Sequence, residues 1–271
     1  MPELPEVETT CRGIAPLLSG RRVTSVHVRN PHLRWPVPPA LARELPGQRV
    51  SGVTRRAKFL LVESPVGHLI LHLGMSGSLR VVSRDLAPEK HDHLDVVMDD
   101  GHCLRLRDPR RFGAALWTTE DPFEHPLLKY LGPEPLEDDF NAEWLHQLSR
   151  RRRVAVKSFL MNSKVVAGVG NIYASEALFL AGIHPGRPAG RISVKRYQGL
   201  VGAVREVLEG AIAAGGTTLR DFVDSSGNPG YFSQKLRVYG RQHEACEHCG
   251  SAVRSRVIGQ RATYYCPRCQ R

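Results

Sequence analysis

Four cysteines near the C-terminus constrain this chain more tightly than any other feature. They read Cys246-Glu-His-Cys249, then sixteen residues, then Cys266-Pro-Arg-Cys269. Two Cys-x-x-Cys pairs at that separation suit one Zn2+ held tetrahedrally by four thiolates, a closed site that is structural rather than catalytic. The competing reading, two disulfides, needs an oxidising compartment. An acidic N-terminus with no apolar segment behind it, and no apolar run long enough to span a bilayer, argue for a cytoplasmic chain without membrane contact, and so for zinc. Cys11 and Cys103 stand alone and read as reduced thiols. Val253–Ile258 and Thr263–Tyr265 read as the strands of a hairpin hung from the metal. Arg254, Arg256 and Arg261 lie on it, with Arg261 in or near the turn.

Those cations belong to a wider asymmetry. Residues 1–149 hold 18 Lys+Arg against 20 Asp+Glu, whereas residues 150–271 hold 20 against 7, and the whole chain carries +11. A basic half of this kind implies a polyanionic partner, nucleic acid first.

Ahead of the basic half, residues 5–19 read as an amphipathic helix that stops at Gly20. Arg22–Val28, Val50–Thr54, Phe59–Glu63, His68–Leu73, Ser78–Val82, Leu94–Met98 and His102–Arg107 read as short strands. Turn signals separate several of them, which suggests an antiparallel sandwich or barrel. Residues 133–139 read as a linker. Helical periodicity follows over Ala142–Leu148, Val154–Met161, Ala174–Ala181 and Val194–Ala213, with Ser193 capping the last. The Gly-, Ser- and Thr-rich stretch 215–240 reads as a long mobile loop of functional length.

Several constellations carry chemistry. If Met1 is removed, Pro2 bears a free secondary amine able to attack an electrophilic carbon, with Glu3 beside it as acid or base; the bland alternative is a solvated terminus. Gly168-Val-Gly-Asn171-Ile-Tyr-Ala-Ser-Glu176 reads as a tight turn with Asn171 capping a helix from about Ile172. That is either a phosphate site or a plain packing joint. Arg150 to Arg153, Lys157 and Lys164 lie just upstream. Met75 in Gly74-Met-Ser-Gly77, and Arg110 and Phe112 in Asp108-Pro-Arg-Arg-Phe-Gly113, sit at loop tips. They read either as probes of a base stack or, for Met75 and Phe112, as core. Lys58 opens an apolar strand and by default is a surface lysine. His91-Asp-His93 has the composition of a metal fragment but no third ligand nearby, so phosphate contacts or plain structure are preferred.

Taken in order, these motifs resemble those of the bacterial formamidopyrimidine-DNA glycosylases, in the wider family that includes endonuclease VIII. The resemblance runs through Met1-Pro-Glu-Leu-Pro-Glu-Val-Glu8, the Lys58 strand, Leu73-Gly-Met-Ser-Gly77, Lys90-His-Asp-His93, Asp108–Gly113, Gly168–Glu176, Gly230-Tyr-Phe, Val238-Tyr-Gly-Arg241 and the four cysteines. It implies an α+β chain with a catalytic β-sandwich domain over 1–135, a helix-two-turn-helix domain over 136–240 and a zinc finger over 241–271. It implies a monomeric glycosylase and lyase acting on damaged double-stranded DNA, with no organic cofactor. In that reading Pro2 attacks C1′, Glu3 shuttles protons, Lys58 assists β-elimination and Arg261 holds phosphate and serves δ-elimination. Met75, Arg110 and Phe112 fill the gap left by the flipped base, with Arg110 facing the orphaned cytosine. His72, His91, Arg152, Lys157, Asn171 and Tyr239 become further DNA contacts, and the Thr217–Gln234 loop closes over the extruded base. Leu4 and that loop's composition point to oxidised purines rather than the pyrimidines of the endonuclease VIII branch. A zinc DNA-binding protein without catalysis is the alternative from another class, disfavoured by Pro2, Glu3 and Lys58.

Overall fold

The computed structural model describes residues 2–216 and 236–271. The loop expected over 215–240, with its Thr217–Gln234 lid, lies for the most part outside the described residues. Those residues fall into two compact units, 2–129 with 214–216, and 130–213 with 236–271.

The first unit runs α1 (Leu4–Leu18), β1 (Val23–Val28), α2 (Pro39–Glu44), β2 (Gly52–Arg56), β3 (Phe59–Ser64), β4 (Gly67–His72), β5 (Ser78–Ser83), β6 (Asp92–Met98), β7 (His102–Arg107) and β8 (Ala114–Thr118). Its strands form two antiparallel sheets, ordered β1-β6-β7-β5 and β2-β3-β4-β8. Leu60, Val62, Leu69 and Leu71 of one sheet share a core with Leu94, Val96, Leu104 and Leu106 of the other, the period-2 pattern of a sandwich. Val7, Cys11, Ile14 and Leu18 of α1 join that core at helical spacing. Each such side chain contributes roughly 2 kcal/mol on burial. Burial also pushes the Cys11 and Cys103 thiols up to about 11, so both stay protonated at neutral pH.

Two elements of this unit had no clear sequence signal. Helix α2 is only six residues long, too short for a period to show, and β8 opens on two alanines rather than β-branched residues. They meet where Trp117 Nε1 donates to Glu44 at 2.7 Å. Strand β2 also starts two residues later than expected.

The second unit holds α3 (Ala142–Ser149), α4 (Val156–Leu160), α5 (Asn171–Leu180), α6 (Val194–Ala213) and a hairpin of β9 (Arg254–Ile258) and β10 (Arg261–Tyr265). All residues of α5 from Ile172 to Phe179 are buried, so this helix is the core of its unit. Phe179 packs with Val238, Val253, Cys246 and Cys266, so the cysteine hairpin and the helices share one compact unit. No helix among the described residues is long and apolar enough to cross a membrane.

Candidate functional site

The N-terminal stretch is folded into the first unit rather than left in solvent. Pro2 is buried and Glu3 is 3% exposed. Glu3 is the N-cap of α1, in a capping box with Glu6: the Glu3 N–H donates to Glu6 Oε2 at 2.7 Å and the Glu6 N–H returns the bond. Pro2 therefore stands one residue ahead of the positive end of a fifteen-residue helix.

Lys58 sits in a two-residue turn rather than at the start of a strand, because Arg56 pairs with Phe59 across β2 and β3. The turn needs a left-handed residue, and Ala57 takes it at φ 54° although it carries a Cβ. Arg55 braces this conformation. Its Nη1 donates to the Ala57 carbonyl at 3.0 Å and its Nε to Glu8 on α1 at 2.7 Å.

His72 lies across from this turn, paired with Phe59, with ring centroids 4.8 Å apart. Its Nδ1 accepts the Gly74 N–H at 3.0 Å, which leaves Nε2–H as a donor. Burial, then the charges of Lys58 and Arg34, push this imidazole down to about 4. It is neutral at pH 7. The sign follows from linkage: the unfolded chain takes up a proton near pH 6.5 and the folded chain resists until about 4. Stability should therefore fall as pH drops from 6.5 to 4, by at most about 3 kcal/mol from this residue. Urea midpoints of the wild type and His72→Gln measured from pH 7 to 4 check this; parallel slopes would contradict it.

The loop tips are held by a residue that sequence reasoning quoted without a role. Asp108 is 0% exposed, accepts Ser76 Oγ at 3.0 Å and the Gly113 N–H at 2.7 Å, and offers its carbonyl to His93 Nε2 at 2.8 Å. Ser76 Oγ in turn accepts the Arg110 N–H at 3.2 Å. Gly74, at φ 61°, lets the loops close, since a Cβ there would lie 2.4 Å from the Phe112 carbonyl carbon. On this base Met75 is 39% and Phe112 43% exposed, so neither is core, and the Arg110 guanidinium lies 4.9 Å from the Phe112 ring centre. His91 is half-buried, with its carbonyl bonded to the Asp108 N–H. Its neighbour His93 is engaged by the Asp108 carbonyl and is structural, and among the described residues neither histidine belongs to a cluster that could hold a metal.

In the second unit, residues far apart in sequence converge on one carbonyl. Lys157 Nζ and Asn171 Nδ2 both donate to the Ala262 oxygen, at 3.0 and 3.1 Å. Lys157 also bonds Asn171 Oδ1 at 2.6 Å and Thr263 Oγ1 at 2.7 Å. Two expectations change here. Gly170, in extended backbone, is the N-cap of α5 and Asn171 is its first helical residue, because the Asn171 amide is recruited by Lys157 and β10. Lys157 is 1% exposed with its donors committed internally, so it braces the site rather than meeting a phosphate directly. Tyr239 OH lies 3.4 Å from Asn171 Nδ2. Its segment is anchored by Glu176, a buried carboxylate that accepts the N–H groups of Arg237, Val238 and Tyr239 at 2.8 to 3.0 Å. Arg261, exposed, opens β10 next to this cluster.

Arg152 is exposed and lines a cavity of about 600 Å3 with Arg151, Arg153 and Arg191. None of these four arginines forms an ion pair among the described residues. The sulfur atoms of Cys246, Cys249, Cys266 and Cys269 all lie within 4.8 Å of one another. All four are free thiols, with Cys246 to Cys269 at 3.9 Å and Cys249 to Cys266 at 3.5 Å. Four thiolates about 2.3 Å from a common centre have spacings of this size. The donor set fits one structural zinc, which closes the hairpin and supplies no reaction step.

Known proteins resemble this chain over its full length. Residues 1–115 match the formamidopyrimidine-DNA glycosylase N-terminal domain, 131–223 the H2TH domain of the same enzymes, and 244–271 a zinc finger found in FPG and IleRS. A formamidopyrimidine-DNA glycosylase of Alkalilimnicola ehrlichii is 60% identical, covering 100% of both chains. The Lactococcus lactis Fpg, solved in complex with DNA containing an abasic site, superposes with a TM-score of 0.92 at 33% identity and 100% coverage of both chains. A MutM structure with carbocyclic 8-oxo-G-containing DNA gives 0.91 at 34%, again covering both chains fully.

Proposed function

The chain belongs to the bacterial formamidopyrimidine-DNA glycosylase family, and from that premise we propose how its own residues excise oxidised purines from DNA and cut the strand. It is a base-excision repair glycosylase with lyase activity, acting on damaged duplex DNA with one structural zinc. The observation that carries the mechanism is the buried Pro2 one residue before the N-cap of α1. Burial and the helix's positive end both favour an uncharged amine there. With Met1 removed, that amine attacks C1′ as the C1′–N9 bond breaks, and Glu3 handles the proton balance of base release and sugar-ring opening. The resulting iminium is an electron sink that acidifies C2′. Lys58, aimed by the strained Ala57 turn, assists the β-elimination that breaks the C3′–O bond. Arg261 holds phosphate and serves the δ-elimination at C5′.

Met75, Arg110 and Phe112 fill the emptied stack, with Arg110 facing the orphaned cytosine. His72, through Nε2–H, and His91, Arg152, Asn171 and Tyr239 contact DNA, while Lys157 orients Asn171 and β10. Catalysis is assigned to 1–135, the helix-two-turn-helix work to 136–240 and the metal hairpin to 241–271. The protein acts as a monomer, in the cytoplasm and on the nucleoid. If Asp108 sets the tips, Asp108→Asn should cost about 1–3 kcal/mol of stability. It should also weaken discrimination of the base opposite the lesion, read from cleavage opposite each of the four bases. Unchanged discrimination would remove Asp108 from this role.

Borohydride trapping on duplexes carrying 8-oxoguanine or thymine glycol tests the whole reading. We expect a covalent adduct, preferentially with 8-oxoguanine, and mass spectrometry should place the sugar on Pro2 with Met1 gone. A preference for thymine glycol would move the chain to the endonuclease VIII-like reading, and no adduct with either would leave a DNA-binding protein without catalysis.

A further inference from the structure

The outer face of the sheet β1-β6-β7-β5 carries a row of charges that is balanced at one end and unbalanced at the other. Register sets Asp95 on β6 opposite Arg105 on β7, and Arg105 opposite Arg80 on β5; one step along, Asp92, Arg107 and Ser78 line up in the same way. Arg105 is neutralised by Asp95, at 2.9 and 2.8 Å, and by Asp92 at 3.7 Å. Arg107 pairs with Glu89 and reaches Asp92 at 3.9 Å. Arg80, on the edge strand, forms no ion pair among the described residues. Its Nε is a buried donor without a hydrogen-bond partner there. The exposed Glu89 is within electrostatic reach of Arg80 but is bonded to Arg107.

The unbalanced end opens into a cavity of about 270 Å3 lined by Ser76, Ser78, Arg80, Arg107, Pro109 and Arg110. Three arginines and two serines line it and no acidic residue does. Arg107 is already paired with Glu89 and Asp92, which leaves Arg80 and Arg110 as the cations without an ion pair among the described residues. That set is built for an anion with several acceptor oxygens, with room for bridging water. The cavity is also tied to the loop tips. Ser76 is the residue that bonds both Asp108 and the Arg110 N–H, so its hydroxyl belongs to the cavity wall and to the tip scaffold at once.

We propose that this cavity binds a backbone phosphate of the strand opposite the lesion, next to the orphaned nucleotide, with Arg80 as its principal cation. The strand assignment rests on the reading of Arg110 as the residue facing the orphaned base. Arg110 also lines the cavity, and the phosphates nearest an orphaned base are those of its own strand. Arg80 and Arg107 would then position the undamaged strand while the tips hold the stack open.

The test is equilibrium binding to an uncleavable duplex with a tetrahydrofuran abasic analogue opposite cytosine. A single uncharged methylphosphonate is stepped along each strand. With wild-type protein we expect a loss of roughly tenfold at one position flanking the orphaned cytosine, about the size of one charge-assisted contact. Arg80→Gln should lose a similar amount on the all-phosphate duplex, should lose no more when that position is neutralised, and should lower the salt slope by about one. Arg80→Lys should recover part of the loss. Arg107→Gln gives a second variant should Arg80→Gln melt early, and the wild-type scan needs no variant at all. Equal sensitivity of wild type and Arg80→Gln at every position, or sensitivity confined to the lesion strand, would overturn the proposal. It would also fall if inorganic phosphate, at matched ionic strength, erased the difference between wild type and Arg80→Gln without any position effect. Borohydride trapping by the wild type reports separately on the parent reading. An adduct without a strand effect removes only this site, and no adduct removes the catalytic assignment.

Discussion

Pro2→Leu should abolish covalent trapping and strand cleavage, by at least about 10³-fold, while binding to damaged duplex persists. A bulky second residue leaves Met1 in place. The reactive amine then moves one residue along the chain, about 3.8 Å measured between α-carbons, and becomes primary. Nucleophilic attack demands reacting atoms within about 3–3.5 Å, so a displacement of that size removes the reaction while leaving the affinity. The substitution should not unfold the chain, because the capping box that starts α1 is made by Glu3 and Glu6 and the core below it by Val7, Cys11, Ile14 and Leu18. Pro2→Gly is the informative companion. It allows Met1 to leave and supplies a primary amine at the right place, so it should trap slowly rather than not at all. Trapping by Pro2→Leu at the wild-type rate would move the nucleophile elsewhere, with Lys58 the next amine to examine.

The second large effect should come from the metal. Cys246→Ser should lose zinc and at least about 10²-fold in affinity for damaged DNA. Structural zinc contributes on the order of 10–16 kcal/mol of binding free energy in isolated finger peptides, and the small core behind this hairpin cannot replace it. Five buried residues make up that core, Phe179, Val238, Cys246, Val253 and Cys266, and two of them are metal ligands. Once the hairpin loosens, Arg261 at the start of β10 loses the position that its proposed phosphate contact requires. The first unit should keep its β-sheet signal in circular dichroism, having its own core. Zinc content by elemental mass spectrometry and affinity by fluorescence anisotropy decide the matter. Full occupancy with wild-type affinity in the variant would show that the four sulfurs do not act as one site.

What was legible in the sequence follows the physics of each feature. The cysteine site was readable because metal geometry acts through spacing alone. Most strands of the sandwich were readable because turn residues punctuate them, and β8 escaped because Ala114 and Ala115 are held by packing rather than by propensity. The tips announced themselves through flanking Gly and Pro, yet the residue that sets them did not. Asp108 looks like any turn aspartate until burial removes the water that would otherwise satisfy it. Asn171 and Lys157 depart from expectation for a shared reason: a capping asparagine and a DNA-contacting lysine are sound local expectations, and both side chains are instead engaged by a carbonyl some ninety and more residues downstream. Local signals cannot report a partner supplied by the other end of the chain.

That shared carbonyl has a thermodynamic corollary. Lys157 and Asn171 favour one position of β10, and the metal favours the same position from the hairpin's other end. Two influences that stabilise one conformation must reinforce each other by equal amounts in both directions. The affinity of this protein for zinc is therefore written partly in α4 and α5, far in sequence from any thiolate. A Lys157→Met chain with all four cysteines intact should surrender its metal to a chelator sooner than the wild type does.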